Sequence, residues 1–241
     1  MLRPQKKQFL RSFLLSFTQI TIVKKNIFFF AAIILLAACS SQKKTTSSNS
    51  SSSNSTGQWV SLFDGKSLDG WKESEGPSFS IEDGAIKVAG KRSHLYYDGP
   101  VNNHDFKNFE IKAQVKTKPG SNSGFYFHTV FQTKGFPDKG FEVQVNNSHT
   151  DWKRTAGLYD IKDTSATFVK DDEWFELYIK VEGKNVVTKI NGQTITEWTE
   201  PDGAKAPEGH PGRLISSGTF AIQAHDPKSV VYFKEIMVKA L

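Results

Sequence analysis

The feature that most constrains this chain is a repeated alternation of apolar and polar residues from Gly57 to Leu241, without any sustained 3.6-residue period. Residues 109–116 place Phe, Ile, Ala and Val at every second position between charged or amide residues, and residues 175–181 repeat the pattern. Successive side chains of a β-strand point to opposite faces, so each segment predicts a strand with one buried and one wet face. The chain is therefore predicted to be almost entirely β.

Turn signals divide these strands. Asp83-Gly84 and Asn191-Gly192 each separate two short alternating runs, which predicts two tight hairpins. Further strands are predicted at Gly124–Phe131, Gly140–Val145, Gly218–Gln223 and Val230–Val238, and the Pro- and Gly-rich segment 200–217 is predicted to be a long loop. About ten strands are too many for one flat sheet of this size, so we predict an antiparallel two-sheet jelly-roll sandwich over residues 57–241.

The first 38 residues read as a targeting signal. Lys24 and Lys25 precede an uncharged run from Ile27 to Ala38, which ends Leu36-Ala37-Ala38-Cys39. The run is shorter than the roughly 20 residues that a membrane-spanning helix needs, and small residues directly before a cysteine resemble a bacterial lipoprotein signal. We therefore expect cleavage before Cys39 and lipidation of that residue, with a buried core cysteine as the alternative.

A flexible tether is expected to follow the lipidated cysteine. Residues 39–56 are dominated by Ser, Asn and Thr, a composition that cannot bury enough apolar surface to fold. Its expected mean span is on the order of 20 to 25 Å. Ser40 and Ser41 follow the cysteine in place of an acidic residue, which implies an outer-membrane lipoprotein facing either the periplasm or the cell surface.

The net charge of +6 does not indicate nucleic-acid binding. Six basic residues and no acidic residue lie before Cys39, and removing them leaves 25 basic against 25 acidic residues. The excess positive charge therefore belongs to the leader, and the mature chain has no net positive charge that would favour a polyanionic partner.

Three predicted strands carry polar side chains at alternate positions within apolar sequence. They are Glu142, Gln144 and Asn146 on one strand, Tyr126 and His128 on a second, and Gln223 and His225 on a third. Taken alone, each row is typical of a solvated strand face or a structural histidine. Together they indicate a ligand groove, because alternate side chains of a concave sheet converge on the same space.

The order and spacing of several short motifs resemble the 3-keto-disaccharide hydrolase domain family, which is widespread in bacterial lipoproteins, over nearly all of residues 57–241. The motifs are Leu62-Phe63-Asp64-Gly65-Lys66-Ser67-Leu68-Asp69-Gly70-Trp71-Lys72, Asn122-Ser123-Gly124-Phe125-Tyr126-Phe127, Gly140-Phe141-Glu142-Val143-Gln144, Ala156-Gly157-Leu158-Tyr159, Trp174, Ile190-Asn191-Gly192, Gly218-Thr219-Phe220-Ala221-Ile222-Gln223-Ala224-His225 and Phe233-Lys234-Glu235-Ile236. The resemblance implies a concanavalin A-like sandwich. His128 departs from the family pattern, which usually has Arg at that position.

The resemblance also implies a chemistry. A ketone at sugar C3 acidifies the C2 hydrogen, so a base can form an enolate, the group on C1 can leave, and water can then add. Such a site needs a base, a hydrogen-bond donor to the enolate oxygen and an acid for the leaving group. The candidates are Glu142, His225 and His128 for catalysis, with Gln144, Tyr126, Gln223, Tyr159, Trp152 and Asn146 for substrate binding.

Trp152 is selected because its neighbours are polar, as in a loop that presents an aromatic ring to a sugar. A classical glycosidase would instead need two carboxylates, and Glu142 shares its row with amides unless a loop supplies Asp160 or Asp226. The sequence has no zinc-like histidine spacing and no sign of a nucleotide, haem or flavin cofactor, whereas a calcium site built from loop carbonyls would leave no sequence signature.

The sequence therefore predicts a glycoside hydrolase acting on 3-keto sugars, with a carbohydrate ligand and a lipid anchor. The alternative is a non-catalytic carbohydrate-binding or envelope interaction domain, which His128 in the usual Arg position favours.

Overall fold

The computed structural model describes residues 57–241, so the predicted signal peptide, Cys39 and the tether lie outside the described residues. In chain order the strands are β1 (Val60–Ser61), β2 (Trp71–Glu73), β3 (Phe79–Glu82), β4 (Ala85–Ala89), β5 (Ser93–Tyr97), β6 (Phe109–Thr117), β7 (Ser123–Thr129), β8 (Phe141–Val145), β9 (Phe175–Glu182), β10 (Asn185–Ile190), β11 (Gln193–Thr199), β12 (Thr219–Ala224) and β13 (Val230–Ala240). A short 3-10 turn spans Val101–His104. No helix within residues 57–241 has the length and hydropathy needed to cross a bilayer.

The strands form two antiparallel sheets. The larger sheet has the order β11-β10-β9-β6-β13-β4-β3, with β1 added beside β13, and the smaller has the order β2-β5-β12-β7-β8. The predicted all-β, two-sheet sandwich is confirmed. Both predicted hairpins are also present, as β3–β4 and β10–β11.

The core lies between the two sheets and is rich in phenylalanine. β6 alternates buried and half-buried residues as its sequence predicts, with Phe109, Ile111 and Val115 facing the smaller sheet. Phe125, Phe127, Phe141 and Phe220 face them from the smaller sheet. Each buried side chain of this size contributes roughly 1.5 to 3 kcal/mol of transfer free energy, so the two facing rows hold the layers together.

The smaller sheet is buried on both faces. Every residue of β5, β7, β8 and β12 is buried, including the polar ones. The core covers one face, and loops cover the other. This second, loop-covered face carries Tyr126, Glu142, Gln144 and Gln223 of the polar rows predicted from the sequence. The sequence did not indicate that loops cover them.

Candidate active site

A hydrogen-bonded network of three side chains lies at the centre of the loop-covered face. The Tyr126 hydroxyl donates to Glu142 Oε2 at 2.7 Å, and Gln223 Nε2 donates to the Tyr126 oxygen at 2.9 Å and to Glu142 Oε1 at 3.3 Å. The strand register explains why these three side chains are adjacent, since Tyr126 pairs directly with Glu142 on β8 and β12 borders β7 on the other side. Three predicted site residues from three strands therefore converge.

Burial controls the ionisation of Glu142. Loss of solvent raises the pKa of Glu142 to about 7, and hydrogen bonds from Tyr126 and Gln223, together with the nearby Arg213 charge, offset only part of that effect. Burial, with the Glu142 carboxylate next to it, raises the pKa of Tyr126 well above its usual range. Tyr126 thus remains a hydroxyl donor, whereas Glu142 is poised to take up or release a proton near neutral pH.

Gly124 makes room for this carboxyl group. A Cβ at Gly124 would lie 2.9 Å from Glu142 Cγ and closer still to Oε1. The glycine of the Asn122-Ser123-Gly124 motif therefore allows Glu142 to lie flat across β7, within reach of Tyr126 and Gln223.

His225 follows β12 and forms a pair with Asp226. His225 Nδ1 and Asp226 Oδ2 are 2.9 Å apart. Burial raises the pKa of Asp226, but hydrogen bonds from Ser229, His225 and the Lys228 amide outweigh burial and lower it to about 2. When His225 Nδ1 carries the ring proton and donates a hydrogen bond to the ionised Asp226, His225 Nε2 has a free lone pair. This is the arrangement of a general base oriented by a carboxylate.

Arg213 supplies a buried cation from the long loop before β12. Its Nη1 donates to the Tyr159 carbonyl at 3.0 Å, and its guanidinium carbon lies 5.6 Å from the centre of the Tyr159 ring. The residue is 4% exposed, and its Nε has no hydrogen-bond partner within the described residues. A buried guanidinium in the wall of a cavity can stabilise a negative charge on a ligand.

These groups line one cavity of about 130 Å³. Its lining residues are Asn122, Tyr126, Phe136, Pro137, Glu142, Gln144, Asp151, Tyr159, His210, Arg213, Gln223 and His225. Six of the residues selected from the sequence lie together here: Glu142, His225, Gln144, Tyr126, Gln223 and Tyr159. The cavity thus contains a candidate base, a candidate acid and a candidate anion-stabilising group, as proton transfer next to a ketone requires.

The amides of β8 differ in what they do. Gln144 Nε2 donates to Asn122 Oδ1 at 2.7 Å, while Gln144 Oε1 is buried without a partner within residues 57–241. Asn146 lies outside the cavity lining. Its amide group donates to the carbonyls of Asp151 and Lys153, so it holds the 147–155 loop in place.

The prediction that His128 shares a face with Tyr126 is wrong. The His128 backbone has φ +56°, its Nε2 lies 2.9 Å from the Lys107 carbonyl, and its ring packs edge-on against Phe109 on the core side. The register between β12 and β7 shifts at this point, and a Cβ at either neighbouring glycine, Gly140 or Gly218, would lie within 2.9 Å of the His128 backbone. A left-handed residue in a bulge breaks the period of two, so the imidazole turns away from the cavity.

Trp152 also lies outside the cavity lining, although it is 56% exposed on a loop next to the lining residue Asp151. Of the loop carboxylates, Asp226 pairs with His225, whereas Asp160 pairs with Lys153 and lies 3.3 Å from His210. Sequence reasoning missed Arg213, Phe136 and His210. All three lie on irregular loops, where no periodicity signals which side chain reaches the sheet.

Comparisons with known proteins show the family of this chain. A family model described as the 3-keto-alpha-glucoside-1,2-lyase-like domain matches residues 58–239. A 3-keto-disaccharide hydrolase from Bacteroides thetaiotaomicron is 28% identical in an alignment 173 positions long, which covers 59% of this chain and 60% of that protein, so the match spans less than two thirds of the relative.

Solved structures show the same architecture. A candidate glycosyl hydrolase from Parabacteroides distasonis is 25% identical with a TM-score of 0.64, over 76% of this chain and 94% of that one. A carbohydrate binding module from Bacillus subtilis is 11% identical with a TM-score of 0.51, over 71% of this chain and 96% of that one, and shows the fold alone.

Proposed function

This chain belongs to the 3-keto-alpha-glucoside-1,2-lyase-like domain family, and from that premise we propose that it cleaves the glycosidic bond of 3-keto-glycosides by elimination followed by hydration. The observation that carries the proposal is the convergence of three residues on one cavity: Glu142, Arg213 and His225, which pairs with Asp226. The name of the Bacteroides thetaiotaomicron relative supports the same class of substrate.

In the first step, His225 Nε2 takes the proton from C2 of the sugar. The electron pair of the C2–H bond forms a C2=C3 double bond, and the ketone oxygen becomes an enolate oxygen. Arg213 stabilises that negative charge, which exists only after the proton has moved. A preorganised donor of this kind contributes about 10²- to 10³-fold to a rate.

In the second step, the ketone re-forms, a C1=C2 double bond appears, and the C1–O bond to the aglycone breaks. Protonated Glu142 gives its proton to the departing oxygen. Water then adds across C1=C2, with hydroxyl on C1 and a proton on C2, so that the net reaction is hydrolysis. The raised pKa of Glu142 supports this role, because a carboxyl with an ordinary pKa would hold almost no proton at neutral pH.

The substrate preference is tested by incubating the full chain with a 3-keto-glucoside and with its unoxidised parent. We expect aglycone release from the keto sugar alone. Release from the parent at a similar rate would favour a two-carboxylate mechanism, for which Asp151 and Glu142 both line the cavity. Tight binding of both sugars without any release would favour the non-catalytic carbohydrate-binding alternative.

The assignment of acid and base has a separate test in the pH dependence of kcat/KM. With Glu142 as acid, kcat/KM falls as the pH rises through about 7 and the carboxyl loses its proton. With Glu142 as base, kcat/KM would instead fall as the pH drops below that value. The Glu142→Gln variant should lose this limb, and a limb that survives the substitution belongs to another group.

We also propose that the mature protein is a lipid-anchored envelope protein, tethered through Cys39 by residues 40–56. This rests on the sequence of residues 1–56 alone.

A further inference from the structure

Phe136 exposes an aromatic ring at the mouth of the candidate active site. It lines the same cavity as Glu142 and His225, and its ring centre lies 6.5 Å from that of His225. Glu142 and Tyr126 are 6% and 2% exposed, whereas Phe136 is 46% exposed. Glu142 and Tyr126 therefore form the floor of the site, whereas Phe136 and the half-buried His225 lie nearer its rim.

The loop around Phe136 is held in place by side chains. Gln132 Nε2 donates to the carbonyls of Lys134 and Phe136 at 2.7 and 2.9 Å, and Gln132 Oε1 accepts from the Asp138 amide at 3.1 Å. The Gly135 amide donates to Glu75 Oε2 at 3.0 Å. Because these bonds fix the backbone on both sides of Phe136, little conformational entropy is lost when a ligand packs on the ring.

Two further contacts orient the ring itself. His94 packs edge-on against it at 5.9 Å, and the Arg92 guanidinium lies over it at 5.3 Å. An isolated exposed apolar side chain is normal on a protein surface. An oriented aromatic ring at the rim of a polar cavity is different, since the apolar face of a sugar ring or an aromatic group stacks on such a surface.

The size of the cavity indicates which part of a substrate meets Phe136. Sites that enclose a whole drug-sized ligand have volumes of roughly 300 to 1,000 Å³. The cavity of about 130 Å³ is smaller, so it holds only part of a disaccharide. The reacting ring must contact Glu142 on the floor and the half-buried His225 above it, which leaves the group attached to C1 at the rim.

We propose that Phe136 forms an aglycone subsite, which selects leaving groups that present a flat apolar ring face. This inference rests on the proposed function, since it takes C1 of a 3-keto-glycoside as the reacting carbon. The ring face belongs either to a second sugar or to an aromatic group, and substrates with each kind of leaving group distinguish the two.

The test compares Phe136→Ala with Phe168→Ala in the full chain. Phe168 is a matched control because it is also a half-exposed phenylalanine, 40% exposed, but lies outside the cavity lining. The substrates are a 3-keto disaccharide, a nitrophenyl 3-keto-glucoside and a methyl 3-keto-glucoside, whose leaving group has no ring.

We expect Phe136→Ala to raise KM roughly three- to tenfold for substrates with a ring-shaped leaving group, with kcat and the methyl glycoside changed less than twofold. Phe168→Ala should change none of these values, and Phe136→Trp should restore the KM. An increase confined to the nitrophenyl or to the disaccharide substrate identifies an aromatic or a sugar leaving group. Equal losses on all three substrates, or no loss on any, would overturn the subsite.

Calorimetry keeps this test independent of turnover. If the wild-type chain binds the 3-keto disaccharide but releases nothing, the proposed function fails, and the subsite is judged by the dissociation constants. A Kd that Phe136→Ala raises roughly three- to tenfold, with no change in Phe168→Ala, would support the subsite. An unchanged Kd in Phe136→Ala, or no binding to the wild-type chain at all, would rule out the aglycone subsite.

Discussion

Burial raises the pKa of Glu142 to about 7, so this carboxyl holds its proton over a pH range in which an exposed glutamate has lost it. The raised pKa contributes stability that is fully present below the unfolded-state pKa, near 4.5, and is lost as the pH rises through 7. Above that pH, the fold contains an ionised carboxylate that it disfavours. The protonated form therefore suits both the fold and the proposed acid role, and the cost to stability appears only above that pH.

Glu142→Gln should relieve this cost while lowering turnover to a small residual rate. Because the variant has no ionisable group at this position, we expect it to unfold like the wild type at pH 4.5 and to be more stable at pH 8, by up to about 3 kcal/mol. Urea denaturation at the two pH values measures the difference. An equal effect at both pH values would mean that ionisation of Glu142 does not limit stability.

His94 has the opposite dependence on pH. It is fully buried on β5 beside Tyr126, neither ring nitrogen has a partner within residues 57–241, and burial lowers its pKa to about 4. Its neutral form favours the fold above the unfolded-state pKa, near 6.5, and this contribution is lost as the pH falls toward 4.

His94→Phe should therefore reduce the acid lability of the protein. We expect the variant to lose roughly 3 kcal/mol less stability than the wild type between pH 7 and pH 4. Denaturant midpoints across that range test this, and His128, which burial also gives a pKa of about 4, still titrates in the variant as an internal reference. Parallel curves for the two proteins would contradict the prediction.

At the scale of elements, the β7–β8 pair shows what a sequence can and cannot reveal about this site. Period-2 alternation placed Tyr126, Glu142 and Gln144 correctly because regular strands keep their side chains on a fixed face. The same reasoning failed at His128, where a bulge interrupts the period. β5 was missed because its sequence, Ser93-His94-Leu95-Tyr96-Tyr97, does not alternate between apolar and polar residues.

Gly124→Ala tests how β7 positions the carboxyl group of β8. The backbone of Gly124 lies outside the left-handed region, so alanine fits the strand, but its Cβ would collide with the Glu142 side chain. We expect the fold to persist while kcat falls at least tenfold, because a carboxyl displaced by about 1 Å is costly to catalysis. The pKa of the limb assigned to Glu142 should also move, and a variant with wild-type rate and pH profile would show that Gly124 has no such role.

At the scale of the whole molecule, the sandwich supplies rigidity and the loops supply the remaining chemistry. The sequence was sufficient to predict the two-sheet fold and the strand-borne half of the site, since both follow from a local pattern. It did not reveal Arg213 or Phe136, because loops bring these residues to the cavity through long-range packing that has no period.

The proposed anchor also belongs to this scale. Cys39→Ser should move the protein from the membrane fraction to the soluble fraction of its host, because the acyl chains that would hold it have lost their attachment site. Cell fractionation and incorporation of a labelled fatty acid test this prediction. The Glu142→Gln variant, which keeps Cys39, is the control and should stay in the membrane fraction. Labelling of the Cys39→Ser protein would rule out Cys39 as the lipidated residue.

The most direct test of the mechanism is the fate of the C2 hydrogen. A 3-keto-glucoside carrying deuterium at C2 is cleaved in ordinary water, and the reaction is quenched after a few turnovers. Labelled product incubated without enzyme serves as the control, which measures how much C2 deuterium exchanges spontaneously. Elimination predicts that cleavage replaces the C2 deuterium with solvent hydrogen, or, where His225 returns the same deuteron to C2, that the deuterated substrate has a lower kcat/KM than the undeuterated one, and His225→Asn should lose cleavage and exchange together. Product that keeps its label, formed with no isotope effect on kcat/KM, would show that C1 is displaced directly, which contradicts proton abstraction as the central step.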